Sequence, residues 1–116
     1  MQVKLKRAYE TPSHDDGFRV LVDRLWPRGL SKEKAKIDIW DKQIAPSNEL
    51  RSSFHHDEIS WEEFSKKYHQ ELKNNPYTQE FIASLKPKPI VTLLYASQDE
   101  KHNQAILLKM LLEKAI

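Results

Sequence analysis

The fold of this chain follows most directly from IVTLLY, residues Ile90–Tyr95. This segment is a continuous run of β-branched and large apolar residues, with prolines shortly before it and a polar loop after it. A short apolar run bounded by such breaks is typical of a strand that is buried on both faces, as in a parallel sheet. The run therefore predicts a buried strand in the middle of a sheet.

A second apolar run, Arg19–Leu25, lies much earlier in the chain. Between the two runs, the aromatic and leucine residues of Trp61–Leu72 fall on one helical face. Strands separated by helices favour an α/β fold, here a small mixed or mostly parallel sheet flanked by helices. We expect Val20–Asp23 and Ile90–Leu94 to be adjacent or near-adjacent parallel strands. Val3–Tyr9 alternates apolar and cationic residues, which predicts a half-exposed edge strand.

Local signals predict where several helices begin. Serines that can act as N-caps precede three helical segments, at Ser31, Ser47 and Ser60. Asn75 followed by proline predicts a cap with proline at the first helical position. The last helix should run from Gln104 to Ile116. The segment from 37 to 45 fits a strand or a helix equally well.

Composition sets broad limits on function. With 116 residues the chain is long enough for one domain, which we expect to span residues 1–116. The net charge is only +2, so composition gives little support for a nucleic-acid or membrane surface. There is no cysteine, which excludes thiolate chemistry, and no apolar run approaches the ~20 residues that cross a bilayer. We therefore expect a cytoplasmic protein with no membrane partner.

Polar residues follow both apolar runs. Asp23, Arg24 and Arg28 follow the apolar residues Val20–Val22 of the earlier run, while Asp99 and His102 follow Ile90–Tyr95. Ligands bind outside the carboxyl ends of parallel strands, and arginine suits the recognition of phosphate or carboxylate. If the two strands are parallel, these segments share one edge of the sheet. The sequence therefore predicts an anion site at that edge.

The second segment offers a histidine for proton transfer. We expect Asp99 or Ser97 to cap the last helix, which would put His102 about one turn into it, beside Asn103. Simpler structural roles stay open for several of these residues. Asp23 can form an ion pair with Arg24 or Arg28 that only holds the loop, and Asp99 and Ser97 can act as caps and nothing more.

The ordered motifs of the whole chain resemble one family. They include VDRLWPRG at 22–29, IAPS at 44–47, a His-Asp pair at 56–57, and TLLYA at 92–96 followed by Asp99 and HNQA at 102–105. Together they resemble the YeaO-like proteins of domain-of-unknown-function family 488, over roughly residues 3–112. The resemblance implies a compact bacterial α/β domain and no established activity. The family's motif residues correspond to Asp23, Arg24, Arg28, Ser47, Arg51, His56, Asp57, Tyr95, Asp99, His102 and Asn103. This chain departs from the family pattern at His55 and Glu58, on either side of the His-Asp pair.

We predict that the chain binds an anionic small molecule, a nucleotide or a phosphorylated metabolite. Hydrolase or transferase activity is left open. The residues to which we give a catalytic role are His102, Asp23 and Asp99. The residues that we expect to bind the substrate are Arg24, Arg28, Ser47, Arg51, His56, Tyr95 and Asn103. The chain has only two glycines, which excludes Gly-rich nucleotide loops, and we predict no cofactor.

Two alternatives remain at this stage. One is a nucleic-acid-associated or regulatory module without catalysis, which would bind phosphates through Arg7, Arg19, Arg24 and Arg28. The other is a metal site built from His56, Asp57, Asp99 and His102. Adjacent residues such as His56 and Asp57 point in different directions and match no common metal-ligand spacing, so we predict no metal.

Overall fold

The structure is a computed structural model that describes residues 1–115. The helices and loops of the chain pack around a single parallel sheet. Its strands are Gln2–Arg7 (β1), Phe18–Leu21 (β2), Ile39–Trp40 (β3) and Ile90–Tyr95 (β4), in the order β1-β4-β2-β3. Every neighbouring pair is parallel. The predicted pairing is confirmed, because β2 and β4 are direct neighbours, and β1 lies at an edge as expected. Ile116, where the predicted last helix and the predicted domain end, lies outside the described residues.

The α-helices of the described part are Lys32–Ala35 (α1), Asn48–His55 (α2), Trp61–Asn74 (α3), Thr78–Leu85 (α4) and Gln104–Ala115 (α5). The three predicted serine caps are confirmed, since each hydroxyl accepts a backbone N–H of the first turn. The segment at 37–45 contains both the short β3 and a 3₁₀ turn, Lys42–Ile44. No helix within residues 1–115 combines the length and the apolar character needed to cross a membrane.

The predicted start of α4 was wrong by two residues. The side chain of Asn75 accepts a hydrogen bond from the backbone N–H of Tyr77 at 2.9 Å. This local turn holds Pro76 outside the helix, which begins only at Thr78. Asn75 is instead the C-cap of α3, and its backbone N–H donates to the carbonyl of Leu72. Asparagine competes for backbone groups in this way at both kinds of helix end.

One face of the sheet carries the main hydrophobic core. Side chains of a parallel sheet alternate between its faces, and helices α2 to α5 cover this one. Burying each Leu or Phe side chain here contributes about 1.5–3 kcal/mol. The strand and helix residues that form this cluster are Val3, Val20, Val22, Ile44, Leu50, Phe64, Tyr68, Leu72, Phe81, Ile82, Leu85, Val91, Leu93, Tyr95, Ala105, Leu108 and Leu112.

The opposite face is covered mainly by loops. The connection between β1 and β2 is short and contains one 3₁₀ turn, His14–Asp16. It brings the chain back to the edge of the sheet at which the parallel strands begin. It closes at Gly17, whose φ is +63° and where a side-chain carbon would lie 2.4 Å from the carbonyl oxygen of Ile90. Glycine is required there because both the conformation and the space exclude a side chain. Trp26 and Trp40 cover the rest of this face, edge to face with ring centroids 5.4 Å apart.

Candidate functional site

Asp23 lies where the ends of the central strands meet. One carboxylate oxygen accepts the N–H of Ala96, the residue after β4, at 2.8 Å, and the other accepts the side-chain amide of Gln104, the first residue of α5. The indole N–H of Trp40 donates to the carbonyl of Asp23 at 2.8 Å. The segments after β2 and β4 therefore do meet at one edge of the sheet, and Asp23 joins them.

The environment of Asp23 acts on its carboxyl group in two opposing ways. Burial raises the pKa of the Asp23 carboxyl above its usual value, and the hydrogen bonds from Ala96 and Gln104 and the nearby charge of Arg51 offset this only in part. A carboxylate removed from water is stabilised by bound donors and nearby cations. Asp23 is thus a partly buried acid, and the Arg51 guanidinium is the cation that acts on it.

Arg51 lies in the first turn of α2, anchored through its backbone N–H to the carbonyl of Ser47 at 2.9 Å. The Nε atom of its guanidinium is fully buried and has no hydrogen-bond partner among residues 1–115. It interacts electrostatically with Asp23, yet no direct ion pair joins the two side chains within the described part of the chain. Buried polar groups are nearly always paired, so this donor needs an explanation.

Of the two arginines that follow β2 and were predicted for the anion site, one is hydrogen-bonded to loop carbonyls and the other is exposed. The Arg24 guanidinium donates to the carbonyl of Pro46 at 2.9 Å and to that of Ala45 at 3.2 Å, which fixes the loop before α2. Arg28 is exposed, and its carbonyl accepts the hydroxyl of Tyr9 at 2.9 Å. Neither arginine has a hydrogen bond to Asp99 or His102 in residues 1–115.

Two further arginines of the nucleic-acid alternative are also bound to carbonyl groups. Arg7 donates to the carbonyls of Ser97 at 2.9 Å and Ala96 at 3.0 Å. Arg19 is only 4% exposed and donates to Asp16 and to the carbonyl of Ala35. Guanidinium groups used in this way are not presented to a phosphate backbone.

Ser47 caps α2 and is held by a glutamate. Its hydroxyl accepts the N–H of Leu50 at 3.1 Å and donates to the carboxylate of Glu71 at 2.6 Å, while its backbone N–H donates to the same carboxylate at 2.9 Å. Glu71 thus places its negative charge at the positive end of α2, where the helix dipole favours it. No sequence motif pointed to Glu71, which precedes the buried Leu72 on α3.

The expected helical position of His102 was wrong. α5 begins at Gln104, and its cap is Asn103, whose side-chain oxygen accepts the N–H of Ile106 at 3.2 Å. His102 lies before the helix, about half exposed, with its ring centroid 5.0 Å from that of Trp61. Tyr95 is buried beside Asn103, and burial raises the pKa of its hydroxyl. Asn103, and not the predicted Asp99 or Ser97, therefore caps α5. Asn103 is buried, and its side-chain amide donates to the carbonyl of Asp99 at 2.9 Å.

Asp99 organises the loop that leads to α5. Its carboxylate accepts the N–H groups of Lys101 at 2.9 Å and His102 at 3.0 Å. The hydrogen bond from Lys101, followed by that from His102, holds the pKa of Asp99 below its usual value. Asp99 therefore stays ionised at neutral pH and stabilises the turn.

The His56-Asp57 pair ends helix α2. Asp57 has φ +58°, its N–H donates to the carbonyl of Phe54 at 3.1 Å, and the N–H of Glu58 donates to that of Ser53 at 2.8 Å. This double hydrogen bond is the Schellman motif of helix C-termini. His56 is exposed and its Nδ1 lies 2.9 Å from the carbonyl of Ser52. The pair thus has a local structural role.

Two observations limit what the site can hold. Residues 1–115 contain no group of three or more His, Asp or Glu side chains that could bind a metal ion, so the metal alternative lacks a ligand set. Two surface grooves, of about 570 Å³ between α2 and α3 and about 530 Å³ between α3 and α5, are lined by neither Asp23 nor Arg51.

The chain is similar along its whole length to proteins without an assigned activity. Residues 2–116 match the family model described as the inactive DUF488-N3 subclade. The uncharacterised protein YeaO of Escherichia coli K12 is 39% identical over 108 residues, covering 93% of this chain and 94% of YeaO. The uncharacterised protein Rv3073c of Mycobacterium tuberculosis H37Rv is 38% identical over 111 residues, covering 96% of this chain and 93% of that protein. No solved structure matches significantly.

Proposed function

We propose that this chain, which belongs to the DUF488 family, is a binding protein that holds a small oxyanion between Arg51 and the carboxyl edge of its sheet and does not transform it. One observation carries the proposal: the Arg51 guanidinium has a buried Nε donor without a partner in residues 1–115, and its charge acts on the partly buried carboxylate of Asp23. A guanidinium presents planar, paired donors that match phosphate or carboxylate oxygens. A bound oxyanion would satisfy the donor and the charge together.

We narrow the donor of charge from three predicted arginines to one. Arg24, Arg28 and Arg51 were expected to supply the charge, but Arg24 is bound to the loop carbonyls and Arg28 is exposed to solvent. Arg51 is the one of the three with a buried donor that lacks a partner in residues 1–115. We do not favour the nucleic-acid module, which depended on Arg7, Arg19, Arg24 and Arg28, because the first three of these guanidinium groups are hydrogen-bonded within the fold.

The absence of catalysis is the second part of the proposal. The family model that matches this chain is described as an inactive subclade. Both oxygens of Asp23 accept hydrogen bonds, Asp99 accepts two backbone N–H groups, and His102 lies against Trp61. General acid–base catalysis needs a side chain that reaches the reacting proton. The two aspartates are already hydrogen-bonded within the fold, while His102 is half exposed with its Nδ1 3.5 Å from a carboxylate oxygen of Asp99. The absence of catalysis is therefore supported by the two aspartates and by the description of the family.

Thermal unfolding with inorganic phosphate tests this function. A ligand that binds only the native state raises the melting temperature with increasing concentration. We expect phosphate to do so relative to chloride at equal ionic strength, and Arg51→Met to abolish the rise. Arg28→Met is the matched control, because it removes an exposed guanidinium outside the site and should keep the full rise. If a water molecule alone satisfies Arg51, phosphate will have no effect. That result, or an equal rise in Arg51→Met, would overturn the proposal.

A further inference from the structure

The last helix, α5, carries apolar residues on more than the side that faces the core. The residues of α5 that are buried in the core are Ala105, Leu108 and Leu112. A second apolar set lines the groove of about 530 Å³ between α3 and α5, namely Leu107, Met110 and Leu111. A helix packed against one core needs only one apolar side, so the fold of a single chain does not explain the second side.

The middle of this second side is open to solvent. Met110 is 52% exposed, and it is the only large apolar side chain that a helix of residues 1–115 exposes to this degree. Trp61, the first residue of α3, borders the same groove and is partly buried. A single exposed methionine needs no explanation. A groove that combines it with a tryptophan and leucines has the composition of the centre of a protein interface.

The two helices start at the same end of this groove. The ring centroid of Trp61, where α3 begins, lies 5.0 Å from that of His102, two residues before α5 begins. The groove therefore has a direction, from the beginnings of both helices toward their ends.

The charged side chains along the groove follow this direction. Glu62 borders the starting end, Lys66 and His69 lie further along α3, and Lys114 borders the far end, near the end of α5. Glu62 and Lys114 are both exposed, and neither forms an ion pair within residues 1–115. The groove is thus acidic at one end, basic at the other and apolar between them.

We propose that this groove is the interface of a symmetric homodimer, occupied by the same groove of a second copy of the chain. A two-fold axis across the groove reverses its direction, so that the acidic end of one copy meets the basic end of the other. Glu62 then faces Lys114 of the partner subunit, and symmetry makes this pair occur twice, on either side of an apolar centre at Met110. A second copy has the complementary order of charges necessarily, whereas an unrelated partner would need it by coincidence. Neither Asp23 nor Arg51 lines the groove, so this inference does not depend on the proposed anion site.

The size of the groove sets the expected affinity. It is lined by 11 residues, whereas a standard interface involves about 20–30 residues on each side. Interfaces at the small end of the range belong to weak, reversible complexes. We therefore expect a dissociation constant of about 1–100 µM.

Sedimentation equilibrium of the full chain between about 5 and about 500 µM tests the dimer. The native chain should show a monomer–dimer equilibrium. Met110→Glu places a charge in the apolar centre and should weaken the dimer at least about tenfold. Because Met110 is exposed, this variant should fold, which circular dichroism checks. A native chain that stays monomeric throughout, or a Met110→Glu variant that dimerises as the native chain does, would overturn the proposal.

Charge reversal tests which ends of the groove meet. Glu62→Lys and Lys114→Glu each replace two opposite-charge pairs by like charges, and each should weaken the dimer about threefold to tenfold. An equimolar mixture of the two variants should recover the native affinity, because both pairs of the mixed dimer are opposite again. The control is Glu113→Lys, which has the same net charge as Glu62→Lys but changes a residue that does not line the groove, and it should dimerise normally. A mixture that dimerises no better than either variant alone would show that Glu62 and Lys114 do not meet, and would overturn the two-fold arrangement.

Discussion

Two clusters of this protein combine an arginine with an aspartate, which is buried in one cluster and partly buried in the other, and they differ in how completely their donors are used. Under the β1–β2 connection, Asp16 accepts from Lys6, from Arg19 and from the N–H of Ser13. Arg19 donates through Nε and Nη2 to the carbonyls of Ala35 and Lys36 at the end of α1. Every charged group of this closed cluster has a partner within the fold.

The open cluster at the carboxyl edge of the sheet is built differently. Asp23 is hydrogen-bonded to Ala96 and Gln104, while Arg51 stands apart with a buried donor that no residue of 1–115 satisfies. Burial of charge is costly unless it is paired, so the closed cluster is explained by folding alone. The open cluster is not. The comparison shows that unused donors, more than charged residue types, distinguish a candidate site from a structural ion pair.

The largest expected difference between the clusters is in stability. Arg19→Met removes a guanidinium that satisfies Asp16 and two carbonyls, and we expect it to lower the free energy of unfolding by about 3–5 kcal/mol. Arg51→Met removes a donor that has no protein partner, and it should change that free energy by no more than about 0.5 kcal/mol. Urea unfolding followed by circular dichroism measures both values.

Arg19→Lys is the control for the first variant, because it keeps the charge and loses the fork-shaped set of donors. The free energy of unfolding of Arg19→Lys should lie between those of the native protein and Arg19→Met. Should Arg51→Met prove as costly as Arg19→Met, its guanidinium would have to be part of the fold, and the distinction between closed and open clusters would disappear.

The next largest difference is in pH dependence, where the clusters should have opposite signs. Burial favours a raised pKa for Asp16, but the Ser13 N–H and the Lys6 and Arg19 side chains together hold its pKa below the usual value. Its contribution to stability is therefore present above the unfolded pKa and is lost as the pH falls through the folded pKa. Asp23 has a raised pKa, so its contribution is present below the unfolded pKa and is lost as the pH rises through the folded pKa.

Unfolding of Asp16→Asn and Asp23→Asn, each compared with the native chain between about pH 3 and about pH 7, measures this difference. Each unit of pKa shift corresponds to about 1.4 kcal/mol. Relative to the native chain, Asp16→Asn should become less stable as the pH rises, and Asp23→Asn should become more stable. Parallel curves for the two variants would contradict the assignment of Asp23 as a partly buried acid.

The sequence was a good guide to the strands and to most helix starts. The apolar runs predict β2 and β4 because a strand that is buried on both faces leaves no polar positions in its pattern. The serine caps predict α1, α2 and α3 because the cap is a contact within one turn. The Asn75–Pro76 signal failed because the Asn75 side chain accepts the N–H of Tyr77 in a local turn, which leaves Pro76 outside the helix.

The sequence was a weaker guide to the candidate site. It placed Asp23 and the segment after β4 at one edge, since parallel strands require this. It could not tell Arg24 from Arg51, because the partner of a guanidinium depends on carbonyls that are distant along the chain, such as those of Ala45 and Pro46. Motif membership does not resolve this, since Ser47, which caps α2, and Arg51, the candidate binding residue, belong to the same motifs.

The smallest expected effect concerns Asp57, a motif residue whose role, like that of the closed cluster, is explained by folding alone. It occupies the left-handed position that ends α2, which costs an L-residue more than glycine, and its negative charge lies at the unfavourable end of the helix dipole. Asp57→Gly should therefore stabilise the protein, by about 0.5 to 1 kcal/mol after allowing for the greater freedom of glycine in the unfolded chain. Asp57→Asn, which tolerates the same conformation without the charge, should give a smaller gain. Both variants should keep the full phosphate-induced rise in melting temperature, measured as for Arg51→Met. A folded Asp57→Gly protein that no longer responds to phosphate would move Asp57 into the open cluster, because a residue that only ends a helix has no effect on an anion bound at Arg51.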